Sequence, residues 1–218
     1  MYVPKLYAET DPEVLDQFIR DHGFGTLISA TGGEPLATHL PMELVRGNGG
    51  QRYIEGHVSR ANPHWRAFEQ PGCQALAIFA GAHTYVSPTW YGHENVPTWN
   101  YLVVHASGPA RLVTDADELG AMVCRLSLHY EPADNPPPRF DVDAMTRSVY
   151  GKEIRGIVGI VIEVERIEAA FKLSQNRNQA DHDNVIRKLM ERGDENSVAV
   201  ARAMVRTRGE EGEKGERG

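Results

Sequence analysis

The sequence is poor in several features that would place it in a familiar class. Two cysteines in 218 residues exclude a disulfide framework and argue against a cysteine-based zinc site. No stretch approaches the roughly 20 consecutive apolar residues of a membrane-spanning helix. The first residues, MYVPKLYAETDPE, lack the basic segment and apolar run of a secretory signal. We therefore expect a cytoplasmic protein with no membrane partner.

Positive charge is also scarce, since 23 Lys and Arg stand against 30 Asp and Glu, for a formal net charge of −7. Proteins that hold DNA by neutralising phosphates usually present a basic face. Direct DNA binding is therefore a weakly supported prediction, although a local basic patch can hide in the average. Walker A, G-x-G-x-x-G, H-E-x-x-H and G-x-S-x-G patterns are all missing from the sequence, and no nucleophile with its base can be picked from spacing.

Hydrophobic periodicity and turn signals predict a mainly β fold with peripheral helices. About seven strands with few helices between them favour an antiparallel barrel over βαβ units. The predicted strands are 24–30, 35–42, 52–58, 73–80, 83–87, 100–113 and 156–174. The predicted hairpins join the first two strands and, across Gly81, the fourth and fifth. The Gly-Pro pair in 100–113 predicts a bulge or an edge position.

Helices are predicted at 10–22, at a short turn from Asn62, at 115–130, at 179–192 and at 196–206. Thr10 with Glu13 fits a capping box for the first helix. The proline-rich segment 132–140 is predicted to be a loop. The whole reads as one domain, 1–206, with N-terminal and C-terminal helices, followed by a charged tail, 207–218, that contains no apolar residue and is predicted to be disordered.

Polar side chains gather in three short segments at strand ends or loops, where binding sites usually lie. The first segment is THLP (38–41), in which Thr38, His39 and Leu40 precede a proline that restricts the strand to an edge or a bulge. His39 is equally compatible with a hydrogen-bonded strand histidine that has no functional role.

The second segment is GHVSRANPHW (56–65), where a strand gives way to a short helix. Asn62 fits the N-cap position, with Pro63 as the first helical residue. The free N–H groups of a helix N-terminus suit a phosphate, to which Arg60 would add a charge and Ser59 a hydroxyl. The alternative is that Asn62 only caps the helix and Arg60 is solvated.

The third segment is FKLSQNR (171–177), at the end of the last predicted strand. Lys172, Ser174 and Gln175 supply one cation and several neutral hydrogen-bonding groups. Strand alternation places Lys172 and Ser174 on the same face. The alternative is a solvated strand end followed by a turn.

A fourth segment, PTWYGHENVPTWNY (88–101), contains two of the three tryptophans. Tryptophan offers a flat apolar surface with a polar tip, and Thr98 and Asn100 flank Trp99 with small hydrogen-bonding groups. This mixture suits a ring system with polar edges and a phosphate tail. Packing in a core or an interface is the alternative, and we retain it for Trp90.

Five motifs occur in one order along the chain: MYVPK, THLPM, GHVSRANPHW, VPTWNYLVVHASGPARLV and KLSQNR. Together they resemble the PaiB-like family, whose members are usually called FMN-binding negative transcriptional regulators. The resemblance runs from residue 1 to about residue 206. It implies a split β-barrel of the FMN-binding type with C-terminal helices, related to the pyridoxamine-phosphate-oxidase and flavin-reductase barrels. It also implies a homodimer with FMN at the subunit interface.

Carried onto this sequence, the resemblance implies a set of cofactor-binding residues: Thr38, His39, Leu40, His57, Ser59, Arg60, Asn62, Thr98, Trp99, Asn100, Lys172, Ser174 and Gln175. Within that set we expect Arg60 or Lys172 to face the phosphate and Trp99 to face or support the ring. The catalytic residues stay unassigned, and no metal ligand is expected unless haem is bound.

Three functions follow from the resemblance and the residues together. The first is a flavoprotein, either a flavin-linked transcriptional regulator or a flavin-dependent oxidoreductase, in which the flavin performs the electron chemistry. The second is a haem enzyme similar to piperazate synthases, with His64 as axial ligand, although a surface or capping histidine is the plainer interpretation of His64. The third is a DNA-binding repressor without redox activity.

Overall fold

Antiparallel strands carry most of the fold. The computed structural model describes residues 1–31, 34–70, 72–131 and 153–215. The strands are β1 (Ala8–Glu9), β2 (Phe24–Thr31), β3 (Glu34–Arg46), β4 (Arg52–Ser59), β5 (Gln74–Val86), β6 (Thr98–Val113), β7 (Ile157–Glu163) and β8 (Arg166–Lys172). The helices are α1 (Pro12–Asp21), α2 (Ala116–Tyr130), α3 (Gln179–Arg192) and α4 (Glu195–Gly215). Short 3-10 helices occupy Lys5–Tyr7, Pro63–Glu69 and Pro88–Trp90.

Six of the strands close into a barrel. Neighbours in the order β6-β5-β2-β3-β4-β7 are hydrogen-bonded, and a further pairing of β6 with β7 closes the ring. β2 pairs antiparallel with β3 and β5, β4 with β3 and β7, and β6 with β7. Strand β6 is also hydrogen-bonded to β8, and β8 in turn pairs with β1. The mainly β split barrel with C-terminal helices is therefore confirmed.

The chain forms two compact units. The barrel unit comprises Asp16–Phe79 and His105–Ile167, and the helical unit comprises Met1–Leu15, Ala80–Val104 and Glu168–Gly218. Strands β5 and β6 each have one segment in the barrel unit and another in the helical unit. The domain boundary at 206 stays a prediction. Helix α4 continues to Gly215, into the charged segment for which the sequence predicts disorder.

The core of the barrel unit forms where α2 covers strand β7. Five consecutive residues of β7, from Val158 to Ile162, are buried, as expected for a strand covered on both faces. A Cβ added at Gly159 would approach the side chains of Leu119 and Met122 to 3.0 and 3.1 Å. The absence of a side chain at Gly159 thus lets α2 pack directly on the strand.

Helix caps explain where two of the helices begin. Asp115 caps α2, because its carboxylate accepts the backbone N–H groups of Asp117 and Glu118 at 3.1 and 2.9 Å. For α1 the capping box predicted at Thr10 is wrong. The Asp11 carboxylate instead accepts from Glu13 N at 2.8 Å and Val14 N at 3.3 Å.

The hairpin predicted across Gly81 is also wrong, since β5 runs without a break from Gln74 to Val86. Two-residue hairpin turns need a positive φ, and Gly81 is absent from the described residues with positive φ. The hairpin predicted between the first two strands, across TGGE (31–34), is confirmed by the pairing of Thr31 with Glu34. Residues 32 and 33 of that turn, and the loop predicted at 132–140, lie outside the described residues.

The strand predicted at 156–174 is two strands, β7 and β8, separated at Val164 and Glu165. Val164 N donates to Arg52 O at 2.9 Å and Glu165 N donates to Ser107 O at 3.0 Å, so the break is stabilised by bonds to other strands. β6 is not an edge strand at its Gly-Pro pair, because it has neighbours on both sides. Gly108 is required there, since a Cβ would lie 1.8 Å from Glu163 O.

Two helices cover the helical unit. Gly193, with φ of 76°, ends α3 in the left-handed conformation that glycine tolerates, and α4 begins two residues later. Buried polar contacts attach α4 to β5, since Thr84 Oγ1 and Ser197 Oγ are hydrogen-bonded at 2.9 Å. Within the described residues, no helix combines the length and the apolar composition needed to cross a membrane.

A buried carboxylate ties α1 to the β3–β4 hairpin in the barrel unit. Asp16 is 2% exposed and forms ion pairs with Arg46 and Arg52, with a distance of 2.6 Å from Arg52 Nε to its Oδ1. The two carboxylate oxygens each accept from a different arginine. A buried carboxylate is costly unless it is paired in this way.

We predict that Asp16→Asn lowers the free energy of unfolding by about 2 kcal/mol, because the amide cannot neutralise both arginines. This value allows for the partial exposure of the arginines, which weakens their ion pairs. Urea denaturation of the wild-type and variant proteins measures the difference. Asp21→Asn is the matched control, since Asp21 is an exposed aspartate of the same helix and accepts a hydrogen bond from Gln17 Nε2 at 2.7 Å. Equal effects of the two substitutions would show that burial of Asp16 adds no stability.

Candidate functional site

A buried histidine organises the first polar cluster, which lies in the barrel unit. His64 is 3% exposed, and both its ring nitrogens are hydrogen-bonded to hydroxyls. Nε2 pairs with Ser29 Oγ and Nδ1 with Thr38 Oγ1, each at 2.8 Å. Burial lowers the pKa of His64 below its ordinary value of 6.5, so the ring is neutral at pH 7.

Asn62 connects this histidine to the barrel. Its side-chain oxygen accepts from His64 N at 3.0 Å and so caps the 3-10 helix Pro63–Glu69, as the sequence predicts. Its amide nitrogen donates to Thr38 Oγ1 at 3.2 Å. Thr38, Asn62 and His64 thus form one network with Ser29, a residue for which the sequence gives no signal beyond its place in a strand.

The other predicted residues of this region have local partners. Exposed His39 is hydrogen-bonded through Nδ1 to Thr26 Oγ1 at 2.9 Å, and Leu40 is buried in the core. Ser59 Oγ accepts from Ala61 N at 3.2 Å. The exposed Arg60 side chain donates from Nε to Arg155 O at 2.8 Å.

His57 occupies a different place from His64. Its side chain lines a small cavity between β3, β4 and α2, together with Glu43, Glu55, Met122 and Leu126. Burial lowers the pKa of His57 below 6.5. Burial also raises the pKa of Glu43, against the opposing charge of His129. The cavity lining contains none of the other predicted cofactor residues.

The second polar cluster lies in the helical unit, where β6 begins and β8 ends. Lys172 Nζ donates a short hydrogen bond to Thr98 Oγ1. Burial, and secondly the charge of Arg177, lower the pKa of Lys172. Asn100, fully buried, donates to Ser174 Oγ at 2.9 Å and accepts from it at 3.2 Å.

The backbone at Ser174 is unusual. Its φ of 63° makes it the one described non-glycine residue with a positive φ, a conformation disfavoured for residues with a Cβ. The strand ends before it, at Lys172, so strand alternation does not relate the two side chains. The Gln175 side chain hydrogen-bonds backbone groups at the end of β8. Its Oε1 accepts from Leu173 N at 2.7 Å and its Nε2 donates to Phe171 O at 2.6 Å.

Trp90 and Trp99, each the last residue of a Pro-Thr-Trp triplet, have different surroundings. Trp99 is 53% exposed, and its ring lies 6.1 Å from that of Tyr85 and 6.2 Å from that of His83. Trp90 packs under the Arg192 guanidinium, 4.7 Å from its ring centroid, and its carbonyl accepts from Asn184 at 2.6 Å. These contacts agree with a packing role for Trp90 and leave the face of Trp99 accessible.

Several contacts within the helical unit have no signal in the sequence. Tyr91 and Arg177 stack on each other, and buried Asp181 accepts from Gly92 N at 2.7 Å. Arg177 sits inside the KLSQNR motif, so its position was visible, but only the folded chain brings it to Tyr91. Among the residues that the structure describes, no cluster of three or more His, Cys, Asp or Glu side chains is arranged to hold a metal ion.

Comparison with known proteins agrees with this architecture. Residues 1–166 match the model of a family described as "Putative FMN-binding domain". The chain is 40% identical over 205 residues to the protease synthase and sporulation protein PAI 2 of Bacillus subtilis, covering 94% of this chain and 96% of that protein.

Two solved structures share the fold at low sequence identity. The flavocytochrome Anf3 from Azotobacter vinelandii has a TM-score of 0.62 and 14% identity, covering 84% of this chain and 78% of that one. The FAD and haem binding protein from Mycobacterium smegmatis has a TM-score of 0.59 and 16% identity, covering 81% and 78%.

We predict that His64 contributes stability that is lost under mildly acidic conditions. Because its folded-state pKa is lowered, the unfolded state binds the proton first, and stability falls as pH drops through 6.5. Unfolding free energies of wild type and His64→Gln, measured between about pH 7.5 and pH 5, should show a shallower decline in the variant. Parallel declines would mean that the buried imidazole is not the group responsible; His57 is present in both proteins and does not bias the comparison.

Proposed function

Because this chain belongs to the PaiB-like family with its FMN-binding domain, we propose that it is a flavoprotein that binds FMN and works as a flavin-dependent redox protein. A flavin-linked role in gene regulation is the related alternative. Bound FMN supplies electron transfer, and the protein supplies binding, orientation and the polarity around the ring.

The observation that carries the proposal is the character of the cluster in the helical unit. Lys172 is a half-buried cation bonded to a hydroxyl, and in the described part of the chain it forms no ion pair with a carboxylate. Asn100 and Ser174 beside it are neutral groups that both donate and accept. A cation for a phosphate and neutral groups for polar ring edges are what a flavin mononucleotide requires.

The strained backbone at Ser174 supports the same proposal. Residues held in sparsely populated conformations cluster at ligand sites, because the surrounding structure must compensate their cost of roughly 1–3 kcal/mol. Here the compensation comes from the Asn100 side chain and from Arg177 N, which donates to Ser174 O at 3.0 Å. Exposed Trp99 offers the flat apolar surface on which a planar ring can rest.

In the barrel unit, His64 is held neutral and its two nitrogens are already bonded. A neutral imidazole of this kind positions the Thr38 hydroxyl, the polar group that it shares with Asn62. Asn62 and His64 together fix the orientation of the Thr38 hydroxyl. To ligate haem iron, His64 would first have to lose its hydrogen bond to Ser29 or to Thr38. This cost disfavours the haem-enzyme alternative.

The alternative of a repressor that binds DNA directly has less support. Lys188 and Arg187 of α3 pair with Glu191, at 2.9 Å for Lys188. Arg192 donates to Thr84 Oγ1 and Tyr85 O, each at 2.9 Å. These basic side chains are partly neutralised or engaged within the protein, whereas phosphate recognition needs cations directed to solvent.

The absorption spectrum of the purified protein tests the proposal. We expect flavin bands, or their appearance with micromolar affinity when FMN is added to the apoprotein. Asn100→Ala should weaken FMN binding by roughly tenfold, because it removes the partner that fixes Ser174. Trp90→Phe serves as the control, since Trp90 packs within the protein. A protein without flavin and without FMN affinity would refute the proposal, and a Soret band that disappears in His64→Ala would replace it with the haem alternative.

We also propose that the protein is a homodimer in the cytoplasm. Two large apolar side chains of the β2–β3 hairpin, Phe24 and Leu36, are exposed, and a dimer interface that covered them would remove this apolar surface from water. Sedimentation equilibrium should give a dimer for the wild type and a weaker one for Phe24→Ser. A monomeric wild-type protein at micromolar concentration would exclude the dimer. Glu34→Gln, in the same hairpin, controls for a general effect of changing this region.

A further inference from the structure

Two buried polar atoms of one stacked pair lack hydrogen-bond partners. The Arg177 guanidinium carbon lies 4.4 Å from the centroid of the Tyr91 ring. Tyr91 is 8% exposed. Within the described residues, neither Tyr91 Oη nor Arg177 Nε has a hydrogen-bond partner. Buried polar groups are nearly always satisfied, and an exception in a native fold calls for a missing partner.

The neighbouring groups do not supply that partner. Arg177 Nη2 reaches a neutral acceptor, Asn95 Oδ1, at 3.5 Å, which is the outer limit of a hydrogen bond. Asp181 is a nearby carboxylate in sequence, but it accepts from Gly92 N at 2.7 Å and Asn178 Nδ2 at 2.9 Å. It also contacts His93 Nδ1 at 3.2 Å. In the described part of the chain, Arg177 forms no ion pair.

A second cation shares this environment. The charge of Arg177 acts on Lys172 and contributes to lowering its pKa, after burial. The bonded partner of Lys172 is the Thr98 hydroxyl, so the pair of cations is surrounded by neutral groups. The unsatisfied Arg177 Nε and Tyr91 Oη are donors that an anion would engage, and the charge of Lys172 would favour the same anion.

We propose that Arg177 and Tyr91, with the charge of Lys172 nearby, form an oxyanion site that takes the phosphate of FMN. This inference rests on the proposed function and assigns the phosphate end of the ligand to the helical unit. Arg177 brings a planar fork that matches phosphate geometry, Tyr91 a hydroxyl donor, and Lys172 a point charge. Arg60, the other candidate from the sequence, is exposed and donates to a backbone carbonyl.

The experiment compares FMN with riboflavin, which lacks only the phosphate. Affinities are measured by quenching of flavin fluorescence with the full-length wild-type protein, Arg177→Gln and Tyr91→Phe. We expect the affinity for FMN to fall about 10- to 100-fold in Arg177→Gln, because a charge-assisted bond to phosphate is lost. The fall in Tyr91→Phe should be smaller, about 3- to 10-fold. Riboflavin affinity should stay the same in both variants.

Matched controls separate this site from a general effect of removing a stacked arginine. Arg66 lies over the Trp65 ring at 5.1 Å, and Arg66→Gln should leave both affinities unchanged. Inorganic phosphate should compete with FMN and not with riboflavin in the wild type. If Arg177→Gln fails to fold, Tyr91→Phe, which removes a single oxygen, carries the test.

Each outcome has a separate meaning. If FMN binds but the ratio of FMN to riboflavin affinity is the same in wild type and variants, the oxyanion site is wrong and the flavoprotein proposal stands. The same conclusion follows if phosphate competes equally with both flavins. If the wild type binds neither flavin, the flavoprotein proposal itself falls, and the phosphate assignment falls with it.

Discussion

The paired hydrogen bonds between Asn100 and Ser174 are the contact on which the candidate site of the helical unit depends. Asn100 is fully buried, and each side chain offers the other both a donor and an acceptor at 2.9 and 3.2 Å. They fix the start of β6 against Ser174, the second residue after β8. Since a buried amide left unpaired costs about 1–3 kcal/mol, the pair specifies one arrangement of the two strands. Thr98 and Lys172, two residues before Asn100 and Ser174 respectively, are bonded to each other as well.

The two polar clusters differ in how fully their groups are satisfied. In the barrel unit, His64 uses both ring nitrogens and Asn62 uses both ends of its amide, so this network is closed on itself. In the helical unit, Tyr91 Oη and Arg177 Nε remain without partners among the described residues. A closed network gives rigidity and orientation, whereas an open one gives affinity for a ligand. The closed network therefore suits a positioning role, and the unsatisfied groups of the other cluster suit a ligand-binding role.

Local signals in the sequence predicted the elements whose ends are set by local chemistry. The predicted N-cap at Asn62, followed by Pro63, acts within three residues and is found. The helix predicted from residue 115 likewise begins at a local cap, formed by Asp115. The prediction failed where a distant strand decides the outcome. Gly81 looks like a turn until its lack of a positive φ is known. The break between β7 and β8 depends on Arg52 and Ser107, which are far from it in sequence.

The same limit explains which site residues the sequence could identify. The resemblance to a family marks positions along whole segments, and the segment FKLSQNR contains Lys172 and Arg177, the two cations of the proposed site. A sequence pattern does not specify backbone conformation. Because β8 ends at Lys172, strand alternation does not determine the direction of the Ser174 side chain, whose residue has a positive φ. The doubled Pro-Thr-Trp shows the point most clearly. Trp90 is covered by Arg192 and Trp99 stays exposed beside Tyr85. Identical triplets therefore acquire different roles because one lies on a 3-10 helix facing α3 and the other opens a long strand.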